Sequence, residues 1–143
     1  MKKVLFDSDV LLDVLLNRYP FFMDSAQALN AVATEQIKGY LAGHAVTNLY
    51  YIMRRQLNSS IAHEKLGQLL RHIQVASVTD HIIRAALKSL MTDFEDAVTS
   101  EAACAAQVDL IVTRNISDFE KSPVSASNSH FGKLAVHPEP VEG

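Results

Sequence analysis

Acids and amides gather at three places in this 143-residue sequence, each beside an apolar run. Asp7 and Asp9 follow Val4-Leu5-Phe6, while Asp93 and Asp96 lie three apart ahead of an alanine-rich stretch. Asn115 and Asp118 come just after Leu110-Ile111-Val112-Thr113. Carboxylates drawn from distant parts of a chain repel one another unless a cation sits among them. Hard oxygen donors, with no cysteine pair and no paired histidines, favour Mg²⁺ or Mn²⁺. A simpler role is open to each: Asp7 or Asp9 can cap a following helix, and Thr92 with Glu95 fits a capping box that would account for Asp93 and Glu95. Asp96, in the first turn and followed by Ala97, Ala102 and Ala103, is harder to explain by capping.

The elements that must position these groups follow from periodicity. Val4-Leu5-Phe6 is a charge-free run that ends at two carboxylates, after which the apolar spacing becomes helical, the pattern of a buried strand feeding a helix over about 10–16. Pro20 in Asn17-Arg18-Tyr19-Pro20 ends that helix. A second helix over about 21–33 has Phe22, Ala26, Leu29 and Val32 on one face, with Phe21 and Phe22 as anchors. A strand over 38–42 and a helix over 44–56 come next. Ser60 is expected to cap a helix reaching about His72, with a strand following over 73–78. Thr79 or Asp80 caps a helix through Leu90, and a helix from Thr92 to about Gln107 precedes the strand Leu110 to Thr113. Pro123-Val124-Ser125 resembles a last edge strand. This alternation predicts an α/β fold, a three-layer α/β/α sandwich with a mostly parallel central sheet. In such a sheet ligands bind beyond the carboxyl ends of the strands, where Asp7 and Asp9 would emerge.

Length suits one domain, over residues 1–126, with 127–143 as a flexible C-terminal tail. The single cysteine, Cys104, lies among alanines and is expected to be a buried, inert thiol. No apolar run approaches the ~18 residues needed to cross a bilayer, which places the protein away from membranes and in the cytoplasm. A net charge of −3 neither supports nor excludes a nucleic-acid partner. His44, His63, His72, His81, His130 and His137 show no metal-ligand pairing and are read as surface or capping residues.

The chain resembles the PIN domain, the metal-dependent nuclease fold that includes the VapC-type toxins of bacterial toxin–antitoxin pairs. The resemblance spans about residues 1–123 and rests on VLFDSDVLLDVL, DFEDAV and LIVTRNISDF, which agree with the family in order and spacing. It implies that Asp7 is the first family acid and Asp96 the third, with Ser8 and Asp9 as supporting neighbours and Thr113 and Arg114 at the last strand's exit. Two positions depart from the commonest pattern. Thr47-Asn48 stands where many relatives have a glutamate on the helix after the second strand, and Asn115 where many have the fourth acid. An asparagine can still offer its carbonyl oxygen to a metal, and Asp118 or Asp93 can supply a carboxylate from nearby.

By this resemblance the protein is a Mg²⁺- or Mn²⁺-dependent endoribonuclease, the toxin of a type II toxin–antitoxin pair. Asp7 and Asp96 are the first-choice metal ligands, and Asp118 and Asp9 come next. Asp93 is a further candidate. Ser8, Thr47, Asn48 and Asn115 would orient water or phosphate, and Arg114 would either meet the scissile phosphate or stand solvated at the strand end. The implied partners are RNA, a cognate antitoxin and a second copy in a homodimer. A catalytically impaired PIN-fold module that binds RNA or protein is the alternative. Haloacid-dehalogenase phosphatases fit poorly, since Val10 and Leu11 replace their Gly-Thr turn, and receiver domains would require a phosphoacceptor where only Asp80 is available.

Overall fold

The computed structural model describes residues 1–129. Five strands, β1 (Lys2–Phe6), β2 (Ile37–Ala42), β3 (Ile73–Ala76), β4 (Leu110–Val112) and β5 (Ala126–Ser127), form one sheet in the order β3-β2-β1-β4-β5. Every pairing is parallel, with Val4 opposite both Gly39 and Leu110. The chain steps outward from β1 to β3, then returns across β1 to lay down β4 and β5 on its other side. The connections that leave β1 and β4 therefore diverge, which opens a crevice at the carboxyl ends of the two central strands.

Six helices cover the sheet: α1 (Ser8–Leu15), α2 (Phe22–Ala33), α3 (Gly43–Gln56), α4 (Ser59–Leu69), α5 (Asp80–Leu87) and α6 (Phe94–Ala105). Strand side chains alternate between the two faces. Val4, Phe6, Leu41 and Val112 pack with Val10, Leu11, Ala28, Leu49, Met53 and Ala62 of α1 to α4. Leu5, Tyr40, Ala42 and Ile111 pack on the opposite face with Ile82 and Ala86 of α5 and Val98 and Ala102 of α6. Two apolar faces explain why β1 reads as a continuous hydrophobic run. The α/β/α sandwich is as expected, and among the described residues no helix is long and apolar enough to cross a membrane.

Several local expectations are corrected. Asn58, not Ser60, caps α4, its Oδ1 accepting the Ile61 N–H at 2.8 Å from an extended backbone. Asp93, not Thr92, caps α6, its Oδ1 accepting the Asp96 N–H at 2.9 Å, which leaves Glu95 outside any capping box. The last strand lies one residue beyond Pro123-Val124-Ser125, because those residues form a turn in which Ser122 Oγ accepts the Val124 N–H. Helix α5 stops at Leu87 rather than Leu90: both leucines are exposed, at 70% and 80%, so no apolar face rewards continuing it. Helix α6 stops at Ala105 rather than Gln107, which has a left-handed φ of 60°.

Helix α4 ends at Leu69, short of His72, and β3 covers only Ile73–Ala76, an edge strand with Val75 exposed. Cys104 is exposed, because Ala102 and Ala103 turn the buried face of α6 to the sheet and the next residue rotates about 100° away. In α2 the buried residues are Ser25, Ala28, Ala31 and Val32, with Phe22, Ala26 and Leu29 only half-buried and Phe21 42% exposed. Ser129 is buried, with its hydroxyl 3.3 Å from that of Ser25. The expected tail beyond it, residues 130–143, lies outside the described residues.

Helix α2 sits close on the sheet at Gly39, where a Cβ would lie 3.0 Å from a methyl of Val32 and 3.2 Å from the Phe6 ring. Gly39→Val is expected to lower stability by about 1–3 kcal/mol in urea denaturation through overpacking. Adding Val32→Ala should recover part of that loss, whereas simple additivity of the two changes would show that this contact is not the constraint.

Candidate metal centre

Asp7 is where β1 becomes α1. Its backbone N–H continues the pairing with β4 by donating to the Val112 carbonyl at 2.9 Å, while its extended ψ of 149° makes it the N-cap of α1. One carboxylate oxygen, Oδ1, accepts the Ser8 N–H, and the other, Oδ2, accepts the hydroxyl of Thr113, both at 2.9 Å. The capping role is therefore real, but it uses only half of the carboxylate. Thr113 is fully buried, and its own oxygen accepts the Asn115 N–H at 3.0 Å, which fixes the hydroxyl proton on Asp7. Asn115 Nδ2 in turn donates to Asp9 at 3.3 Å.

Asp96 enters from the opposite direction, on the first turn of α6, whose small residues Ala97, Ser100 and Ala103 let the helix sit close to the sheet. It lines two adjoining hollows. One, of about 200 Å³, is shared with Asp7, Ser8, Asp9, Asn48 and Asn115. The other, of about 340 Å³, is shared with Asp93, Asp118, Ser117 and Lys121. Burial and then the charges of Asp7, Asp93, Asp118 and Glu95 push the Asp96 carboxyl up from 3.8 to about 7. Burial, with Asp9 and Glu95 adding to it, also raises Asp7, against the lowering effect of the Thr113 and Ser8 hydrogen bonds.

Of the residues singled out from sequence, Asp7, Ser8, Asp9, Asn48, Asp96 and Asn115 surround one hollow, and Asp93 and Asp118 lie across Asp96 from it. Thr113 acts from behind, through Asp7. Two others are not brought in. Thr47 is exposed and spends its hydroxyl on the His44 carbonyl at 3.1 Å. Arg114 turns to the fully buried Asp13, Nε to Oδ2 3.1 Å, with its guanidinium 4.1 Å from the centre of the Phe21 ring.

Sequence reasoning missed Glu95, His44 and Thr99, which also line the smaller hollow. Asn48 Nδ2 donates to the Glu95 carboxylate in a short hydrogen bond. Thr99 donates to the Glu95 carbonyl at 3.1 Å, so its oxygen must accept from His44 Nε2 at 3.2 Å, and Nδ1 is left as a buried acceptor. Burial lowers the pKa of His44. It is half-buried rather than a surface residue, and the usable signal was spacing: His44 and Asn48 stand four apart on α3 and share a face.

Among the described residues no three carboxylate, histidine or cysteine side chains are placed to hold one ion directly. The donors fit Mg²⁺ or Mn²⁺ all the same. They are hard oxygens, burial and the neighbouring acids raise the Asp96 carboxyl to about 7, and Mg²⁺ commonly takes only one or two carboxylates and completes its shell with water.

A PIN domain profile matches residues 3–117. The chain belongs to the PIN domain family. Solved structures with the same fold include VapBC2 from Rickettsia felis bound to a DNA fragment from its promoter, with a TM-score of 0.70 and 15% identity over 88% of this chain and 98% of that one. DNA-bound VapBC from Salmonella typhimurium gives 0.68 and 16%, over 90% and 99%. Mycobacterium tuberculosis VapC20, a toxin that cleaves the sarcin–ricin loop, gives 0.61 and 12%, over 76% and 86%. A comparison with curated proteins gave no match.

The raised Asp96 carboxyl of this PIN domain has a consequence for stability. Between its ordinary value of 3.8 and about 7 the folded protein keeps a proton that the unfolded chain releases, so the contribution of Asp96 is full at low pH and is lost as pH rises through 7. In chelator, Asp96→Asn should melt close to the parent at about pH 4 and above it at about pH 8. The same difference at both pH values would mean that burial and the neighbouring acids do not raise the Asp96 carboxyl.

Proposed function

We propose that this PIN domain is a divalent-metal-dependent endoribonuclease and acts as the toxin of a type II toxin–antitoxin pair. The observation that carries the reading is the convergence of Asp7, Asp96 and Asp118 from three separate segments, where burial and the surrounding acids raise the Asp96 carboxyl to about 7. Asp7 and Asp96 would hold a Mg²⁺ or Mn²⁺ ion, with Asp118, Asp9 and Asp93 as the neighbouring carboxylates. Such an ion, when bound, supplies a water of lowered pKa and neutralises charge on a phosphodiester. The chain's own contribution is to aim these groups. Thr113 fixes the rotation of Asp7, Asn115 steadies Asp9, and Asn48 holds Glu95 at the margin of the hollow.

The toxin assignment draws on the fold shared with VapBC complexes and on the RNA-cleaving activity that the name of the Mycobacterium protein carries. By the same analogy an antitoxin covers the acidic site and two copies pair. The asparagines at 48 and 115, with no three-residue ligand set among the described residues, support a second reading as a non-catalytic binding module.

The two readings separate in one assay. Purified protein freed of any antitoxin should cleave RNA with Mn²⁺ or Mg²⁺ and not with chelator. Asp7→Asn should lose more than about a hundredfold in rate, and Thr113→Val roughly 10–100-fold, as expected for a group that orients a metal ligand. Equal inactivity of all three proteins, with Mn²⁺ binding absent from the folded parent, would favour the binding module.

A further inference from the structure

Arg114 leaves β4 between Thr113 and Asn115, the residues that hold Asp7 and Asp9, yet it lines a different hollow, of about 350 Å³, together with Phe21, Ser25 and Ser129. Its guanidinium is held on two sides. Nε lies 3.1 Å from Oδ2 of the buried Asp13, which also accepts the Ser25 hydroxyl at 3.1 Å, and Cζ lies 4.1 Å from the Phe21 ring centre. Phe21, at the N-cap of α2, is 42% exposed. A planar cation fixed over an accessible aromatic ring, beside a hollow of ligand size, is the surface on which unstacked bases of single-stranded RNA are received.

We infer that this hollow takes a nucleobase of the RNA strand whose phosphodiester lies at the acids, an inference that rests on the nuclease reading above. Arg114 and Asn115 are consecutive in the chain, so base and scissile phosphate are near neighbours on one strand. Nε lies against Asp13 Oδ2 without a hydrogen bond, and an arginine fork is the side chain that pairs bidentately with O6 and N7 of guanine. Guanine is therefore the base of choice, and this hollow, rather than the acidic one, sets preference for the nucleotide beside the cut.

The test is a titration of the full-length protein, in chelator, with guanosine, cytidine and ribose 5-phosphate, followed through backbone amide NMR signals. Chelator silences cleavage, so binding is read independently of catalysis. Guanosine should shift the signals of Phe21, Ser25 and Ser129, cytidine should do so more weakly, and ribose 5-phosphate should leave them in place. Phe21→Ala should weaken guanosine binding about tenfold while Phe21→Tyr, which keeps a ring, retains it. The inference is overturned if ribose 5-phosphate moves these signals as guanosine does, if no probe moves them, or if Phe21→Ala binds guanosine as well as the parent. An equal response to cytidine overturns the assignment to guanine. Guanosine binding in a protein that cleaves no RNA with Mn²⁺ would instead count against the nuclease reading.

Discussion

Three consecutive residues at the exit of β4 each take hold of a different carboxylate from the β1–α1 unit. Thr113 donates to Asp7, Arg114 pairs with Asp13, and Asn115 donates to Asp9. Carboxylates crowded at one strand end would otherwise swing apart into water, because like charges at short range separate unless something holds them. The parallel pairing of β1 with β4 brings the two segments side by side, and the Asp7 N–H extends that pairing by one residue past the strands. This lacing fixes the β1 side of the acid site, and α6, packed on the sheet through Ala97, Val98 and Ala102, adds Asp96 beside it.

The Asp13–Arg114 pair has a different energetic character from the other two links. Asp13 is fully buried, its pKa is raised by burial despite Arg114, Ser25 and Arg18, and its Oδ1 has no hydrogen-bond partner among the described residues. Taking such a pair out of water costs about as much as its attraction returns, so a well-packed apolar substitute would serve stability equally well. What an apolar pair would not supply is direction. Only a charged partner pins the guanidinium plane over Phe21 and keeps it from collapsing onto Asp7 and Asp9, where an arginine would compete with a metal ion for the same oxygens.

Much of this architecture was legible in the residues, and the failures have physical causes. β1, β4 and the helices around Leu11, Leu49 and Val98 announce themselves because a sheet buried on both faces demands uninterrupted apolar runs and helices of fixed period. The caps fall at Asn58 and Asp93 rather than Ser60 and Thr92 because residues one or two positions apart carry equivalent oxygens, and the choice goes to whichever backbone is extended when the next residues turn. The misassigned cap hid Glu95 in turn, since a glutamate spent on a capping box has no reason to face a site. Arg114 was read as facing a phosphate or water because its true partner, Asp13, lies 101 residues away, and a lone acid on an apolar helix face gives no sign of which base will reach it.

The asparagines at 48 and 115 make sense once the charge around Asp96 is considered. Burial, with Asp7, Asp93, Asp118 and Glu95 pressing on it, already lifts that carboxyl to about 7. Two more carboxylates in place of Asn48 and Asn115 would raise it further and leave more of the site protonated at neutral pH, where a protonated acid is a poor ligand. An amide avoids that repulsion and still does structural work. Asn48 draws the Glu95 carboxylate to the edge of the hollow, and Asn115 steadies Asp9. Each asparagine thus positions an acid by a hydrogen bond without adding a charge of its own.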